Sequence, residues 1–470
     1  MNNFAKQKTL ICILLVWMVG ASSCSSYKNL SEAPAPSTEH LLRDSPDRRQ
    51  DSISVADVPW KEYFADPKLQ DLLAEGLKNN YDLRVAVSRI EQAEANLMMS
   101  RAANLPTVDV GWQSDHTRTS SGISGTKVLG YYSHVNQFGF SASWEIDLWG
   151  KLNSQAKIKY ASYLSSTENK NLVQTNLVAD IAKAYYNLMS LDEQLRITRE
   201  TAVSLQESVE TITHLMVAGQ QNAAAVEQSK ALLYSTQLSI PDLENQVRQQ
   251  ENALCVLLGR NPSPVNRSNM KEQAVSSSLS DGVPVSFLAK RPDVRQAELS
   301  LRSAYASVDV AKTSFYPSLT ISSASLGYSG GFADFFKPAN IAANIVAGLS
   351  QPLLNKKQLK GNLQLARAEQ EEALLTFEST VLNAGQEVSD ILFGYQSSLR
   401  KTTDRQNQII SLIKSVDYTQ DLLKAGEANY TEVLSAQRDL LSAQLNQVSD
   451  KLDQLDYGVN LYKALGGGVQ

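Results

Sequence analysis

VAGQQNAAAVEQSK at 217–230 and KAGEANYTEVLSAQ at 424–437 are two copies of one turn, set between helical patterns. Gly219 and Gly426 are 207 residues apart, and Val226 and Val433 keep that offset, as do Leu258-Gly259 and Leu465-Gly466. Upstream, Asp82 in NYDLRVA pairs with Asp293 in RPDVRQA, and Pro106 with Pro317, at an offset of 211. Solenoid units repeat every 20–50 residues or so, so this is a duplicated architecture. The expected division is a signal segment 1–23, an anchored tether 24–58, a first repeat 59–265 and a second repeat 266–470. Each repeat should run helix, two strands, long helix, short helix.

Proline marks where long helices are possible, because it breaks helix interiors. Of 14 prolines, none lies between Pro106 and Pro241 and none follows Pro352. Within these gaps apolar residues recur three and four apart: Leu177, Ile181, Ala184, Leu188, Leu191 and Leu195, then Leu441, Leu445, Val448, Leu452, Leu455, Val459 and Tyr462. That is a seam of coiled-coil type. A helix from near Gln155 to Val217 would span roughly 95 Å at ~1.5 Å per residue. One from near Gln358 to Lys424 would match it. Each then returns as a shorter helix, Ala223–Leu258 or Thr431–Leu465. Further short helices are expected near Lys68–Asn104 and Asp293–Ser314, so that each long helix pairs with two shorter ones. The opposite faces are rich in Gln, Ser and Asn, which suits either a solvated exterior or a water-filled interior.

Between the helices the period changes to two. Val108, Val110 and Trp112 alternate with Asp109, Gly111 and Gln113; Phe138, Phe140, Ala142 and Trp144 alternate with Gly139, Ser141 and Ser143. Leu319 and Ile321 begin a third strand, and Ile341, Ala343, Ile345, Ala347 and Leu349 mark a fourth. Apolar outward and small or polar inward is the pattern of an outer-membrane barrel, with Trp112, Trp144 and Trp149 as an aromatic girdle. A soluble sandwich face would alternate in the same way. Four strands cannot close, since about eight make the smallest filled barrel, and open edges are not tolerated in lipid. Three chains would bring about twelve strands and leave an open lumen.

The formal net charge of -5, from 44 basic and 49 acidic residues, gives no basic footprint for nucleic acid. Lys6 and Lys8, the apolar run Leu10–Val19 and the small residues before Cys24 read as a secretory signal. Ending at a cysteine, this segment resembles a bacterial lipoprotein signal, with Cys24 as the acylated residue. Three cysteines then leave only Cys255, which excludes a disulfide framework.

The chain resembles the outer-membrane factors of tripartite efflux pumps, the TolC and OprM type, in their lipoprotein branch. The likeness runs from about Trp60 to the C-terminus. WKEYFADPKLQDLL at 60–73, NNYDLRVAVSRIEQAEA at 79–95, FGFSASWEIDLWGKL at 138–152, RPDVRQAE at 291–298, FYPSLT at 315–320, GLSQPLL at 348–354 and YGVNLYKALGGG at 457–468 carry it. The resemblance implies a homotrimer: a shared 12-stranded barrel in the outer membrane, four strands per chain, continued by a long periplasmic α-helical barrel. Segments near 59–67, 259–290 and the C-terminus would form a girdle around it. The implied partners are outer-membrane lipid, a periplasmic membrane-fusion adaptor and an inner-membrane pump of the RND type. The implied cargo is small molecules; type I protein export, metal-ion efflux and a poreless coiled-coil scaffold or adhesin are alternatives. On this frame Gly219 and Gly426 mark the periplasmic tip where the adaptor docks. Glu432 matches an acidic position that narrows the pore in some relatives, whereas a second such position is Ser435. A glutamate beside a helix N-terminus is also favoured simply by the helix dipole.

No HExxH, CxxC or phosphate-binding glycine loop occurs, no cofactor or metal is called for, and no enzyme activity is expected. Glu145 and Asp147 in WEIDLWGK read as a strand-to-helix junction. Gly466–Gly468 read as a flexible tail.

Overall fold

The computed structural model describes residues 26–35, 41–42, 58–119, 131–273, 285–330 and 336–468. The expected signal segment, Cys24 and most of the tether lie outside them. The helices are α1 Trp60–Tyr63, α2 Pro67–Asn79, α3 Tyr81–Ala102, α4 Lys151–Val217, α5 Ala223–Leu257, α6 Pro292–Thr313, α7 Lys356–Ala425 and α8 Tyr430–Ala464. The strands are β1 Thr107–Thr119, β2 Tyr131–Ile146, β3 Ser318–Gly330 and β4 Ile341–Ser350. The chain divides into two compact units, each drawing on both halves of the sequence: 1–35, 89–167 and 296–377 in one, and 36–88, 168–295 and 378–470 in the other.

The second unit is helical and holds the main core. Leu69, Leu73, Ile181, Tyr185, Leu188, Leu254 and Leu258 are fully enclosed, and Trp60, Phe64, Val265, Met270 and Tyr462 close around them. Each such side chain is worth about 1.5–3 kcal/mol, which is why the seam at three-and-four spacing folds here. Asp66 sits at the centre as the N-cap of α2. It accepts from Lys68 N (2.9 Å), Tyr185 Oη (2.7 Å), Ser268 Oγ (3.1 Å) and Gln273 Nε2 (2.8 Å). Burial pushes the Tyr185 hydroxyl up to about 12, reinforced by its bond to Asp66.

The familiar sequence stretches turn out to be joints of this unit. Arg291, almost fully buried, donates to the Ala464 carbonyl (2.7 Å) at the end of α8 and pairs with Asp293 (2.7 Å) and Glu387 (2.8 Å). Tyr63 donates to the Gly458 carbonyl (2.7 Å) and stacks on Tyr462 at 4.4 Å.

Two expectations are corrected here. The helix expected over Lys68–Asn104 is two helices. Asn80 divides them: its Oδ1 accepts from Leu83 N (3.0 Å), and its Nδ2 donates to the Leu257 carbonyl (2.9 Å). The glycines 466–468 are not a loose tail. All three are buried, and the Gly468 carbonyl accepts from Gln174 (2.7 Å). Pro241 lies inside α5, within the helix expected over Ala223–Leu258. It supplies no N–H, so the Gln237 carbonyl loses its helical partner, yet the helix continues.

The first unit carries the sheet, in the order β1-β2-β3-β4 with every pair antiparallel. β1 and β2 are 13 and 16 residues long and extend beyond the alternating residues that mark them in the sequence. β3 holds a bulge: Ile321 and Ala324 oppose Trp144 and Ala142 on one side, and Ala347 and Ile345 on the other. Below it the outward residues of β3 are Leu319 and Ile321; above it they are Leu326 and Tyr328. One inserted residue thus switches the alternation. Tyr27, three residues after Cys24 in sequence, is buried against Leu97 and Ala156, with the Arg101 guanidinium 4.8 Å above its ring.

Candidate functional site

The sheet has two unlike faces. On one, Val108, Val110, Trp112, Phe140, Leu326, Ile341, Ile345 and Leu349 are all more than half exposed. Cross-strand partners line up on this face: Val110 opposite Phe140 and Trp112 opposite Phe138, then Phe140 opposite Leu326, and Leu326 opposite Ala343. The other face carries Asp109, Gly111, Gln113, Ser141, Gly139, Ser325, Gly327 and Asn344. An apolar patch of this extent on a chain's own surface marks a membrane or a partner. Strands of 10 to 16 residues are long enough to cross a bilayer, which takes about 9–11 when tilted. No helix among the described residues is long and apolar enough to do so. Within the chain β1 and β4 are the sheet's two edges.

The WEIDLWGK stretch is the joint between this sheet and α4. Asp147 accepts from Leu152 N (3.1 Å) and Asn153 N (2.8 Å), which satisfies the first amides of the helix. Glu145 pairs with Lys151 at 2.9 Å. Trp144 Nε1 donates to the Asn104 carbonyl (3.0 Å) and Trp149 Nε1 to the Pro317 carbonyl (2.8 Å). Indoles with one end anchored and the other in an apolar face are the membrane-interface arrangement. Neither carboxylate is arranged for acid–base work.

In the helical unit the two turns are closed alike. Gly219 and Gly426 have φ of 75° and 78°. At the first, Gln220 N donates to the Leu215 carbonyl (2.9 Å) and Gly219 N to Met216 (2.9 Å). At the second, Glu427 N donates to Leu422 (2.9 Å) and Gly426 N to Leu423 (3.1 Å). This is a Schellman cap, which needs a left-handed residue at the glycine. Asn222 and Asn429 then cap the returning helices. Ile212, Ala225, Val226, Leu423 and Val433 form one buried cluster that ties both turns together. Glu432 is exposed in the first turn of α8, its amide bonded to the Asn429 carbonyl (3.0 Å). Ser435 lies one turn further on. Sequence reasoning missed the asparagine caps, although both stand three residues after the turn glycine and share its 207-residue offset.

The model of the outer membrane efflux protein family matches residues 72–260 and again 283–467. Among similar proteins, the probable outer membrane lipoprotein SilC of Salmonella typhimurium is 28% identical over 464 residues, covering 98% of this chain and 99% of its own length. The toluene efflux pump outer membrane protein TtgF of Pseudomonas putida is 30% identical over 463 residues, covering 96% and 95%. The outer-membrane channel OprN shares the fold with a TM-score of 0.85 at 24% identity, covering 94% of this chain and 98% of that one. With a two-faced membrane sheet, capped helical turns and a family match across both halves, the chain belongs to the outer membrane efflux protein family.

Proposed function

We propose that three copies of this chain close one 12-stranded barrel and form a passive exit duct for small molecules, the outer-membrane component of a tripartite efflux system. The observation that carries the reading is the four-stranded sheet, apolar on one face and ending in two edges. β1 of one copy would pair with β4 of the next, since backbone groups left open in lipid lack partners. Cys24 would carry the lipid anchor. The two glycine turns would present the docking rim for a periplasmic adaptor, and an inner-membrane pump would supply the energy. Three Glu432 carboxylates would face one another at the narrowest point, repel and attract cations. The small-molecule reading is supported by relatives such as the toluene pump component; the chain itself would perform no chemistry.

The test is mass measurement of the detergent-purified full chain, followed by single-channel recording in a planar bilayer. Three chains per particle and cation-favouring conductance that weakens in Glu432→Gln are expected. A monomer with no conductance overturns the duct. A conducting trimer whose selectivity is unchanged in the variant removes Glu432 from the gate.

A further inference from the structure

Two histidines on neighbouring strands bring their Nδ1 nitrogens together, and the duct has no use for them. His116 of β1 and His134 of β2 are direct partners in the register. Their rings meet edge to face with centroids 4.4 Å apart, and their Nδ1 atoms are in contact. Both side chains are exposed. They lie on the same face as Trp112 and Phe138, four residues further along each strand, past a pair formed by Ser114 and Asn136.

The surrounding hydrogen bonds determine which nitrogen of His116 is unprotonated. Ser114 has one hydroxyl hydrogen and donates it to Asn136 Oδ1 at 2.8 Å. Its oxygen must therefore accept from His116 Nε2, 3.2 Å away. Nε2 carries the proton, so the unprotonated Nδ1 accepts from His134 Nδ1–H, a proton that moves to His134 Nε2 when a cation takes its place. An imidazole anchored through one nitrogen and unprotonated at the other is how metal-ligating histidines are held. Asn136, itself buried, fixes the anchor in turn.

We propose that His116 and His134 form a surface site for a divalent ion of the zinc class. Imidazole suits Zn²⁺, Cu²⁺ and Ni²⁺, whereas Mg²⁺ and Ca²⁺ prefer oxygen ligands. Zn–N bonds of about 2.0–2.1 Å hold two nitrogens about 3.3 Å apart at the tetrahedral angle, which a small opening of the two rings provides. No group of three or more His, Cys, Asp or Glu side chains suited to a metal occurs among the described residues. Water completes the shell, so the ion exchanges readily. Bound there, it staples β1 to β2. Both ligands are in one chain, so the site stands whether or not three chains close a barrel.

Metal-stripped, untagged full-length protein in detergent is titrated with Zn²⁺ by calorimetry. One ion per chain is expected, with binding at least tenfold weaker in His134→Asn and in His116→Asn. Ser114→Ala, which keeps both imidazoles and loses only the anchor, should weaken binding less. Zn²⁺ should raise the melting temperature of the wild type and not of the double variant. If the double variant binds Zn²⁺ as the wild type does, or the wild type binds none, the site does not exist. Should a variant fail to fold, acylation of the wild-type imidazoles is followed by mass spectrometry with His214 as the internal control. Zinc should protect His116 and His134 alone; equal labelling with and without zinc overturns the proposal.

Discussion

The helical unit and the sheet unit treat apolar residues in opposite ways. Around Asp66 and Tyr185 large side chains face inward, and the buried carboxylate meets four donors. In the sheet, valines, isoleucines and aromatics of the same kind face outward. The first arrangement is complete within one chain. The second is stable only where something else covers it, be it lipid on its face or another strand at its edges. Hydrophobicity therefore tells which residues leave water but not what receives them; that depends on whether the chain's own helices can wrap around.

Substitution on the enclosed side should cost the most stability. Asp66→Ala strands four donors in a buried place, each costing about 1–3 kcal/mol when unmet. A loss of about 4 kcal/mol is expected in urea unfolding, with or without lipid present. Phe140→Arg tests the other side. A charge on a lipid-facing strand costs about 2–4 kcal/mol near the bilayer centre, so the variant should lose assembly in lipid vesicles. In urea the helical unit should unfold as before; a matching loss there would mean that this face is an ordinary core face.

Asp456 in α8 is partly buried in the helical unit, with Oδ1 lacking a partner. Burial pushes its carboxyl up to about 6, the Lys183 ammonium opposing and Asp453 adding. The folded state thus binds a proton more readily than the unfolded chain. Stability contributed here is full below about pH 4, falls as pH rises to about 6, and is flat above. Asp456→Asn should remove that slope and raise stability at neutral pH by about 1 kcal/mol, read as a higher melting temperature. An unchanged pH profile would show that Asp456 is not the group responsible.

The long helices were legible because proline is absent from both stretches and, in α4, the three-and-four seam repeats: α4 and α7 run 67 and 70 residues. The glycine turns were legible because only a left-handed residue closes such a cap. The break at Asn80 was not, since it depends on the Leu257 carbonyl 177 residues away. The glycines 466–468 looked loose because glycine in sequence carries no packing signal; what holds them is Gln174, 294 residues earlier. In β3 the alternation was readable only up to Ile321, because one bulged residue shifts everything after it. His116 and His134 were within reach, as their numbers sum to 250, like those of Trp112 and Phe138. That sum becomes useful only once the hairpin register is known.

The two returning helices, α5 and α8, are each 35 residues long. Adding or deleting one residue midway would swing everything beyond it by about 100° around the axis, unless a bulge in the helix absorbs it. Evolution can therefore lengthen or shorten these rods most readily in steps near whole turns, by three, four or seven codons at a time. Natural variants with single-codon indels in these rods should be rare.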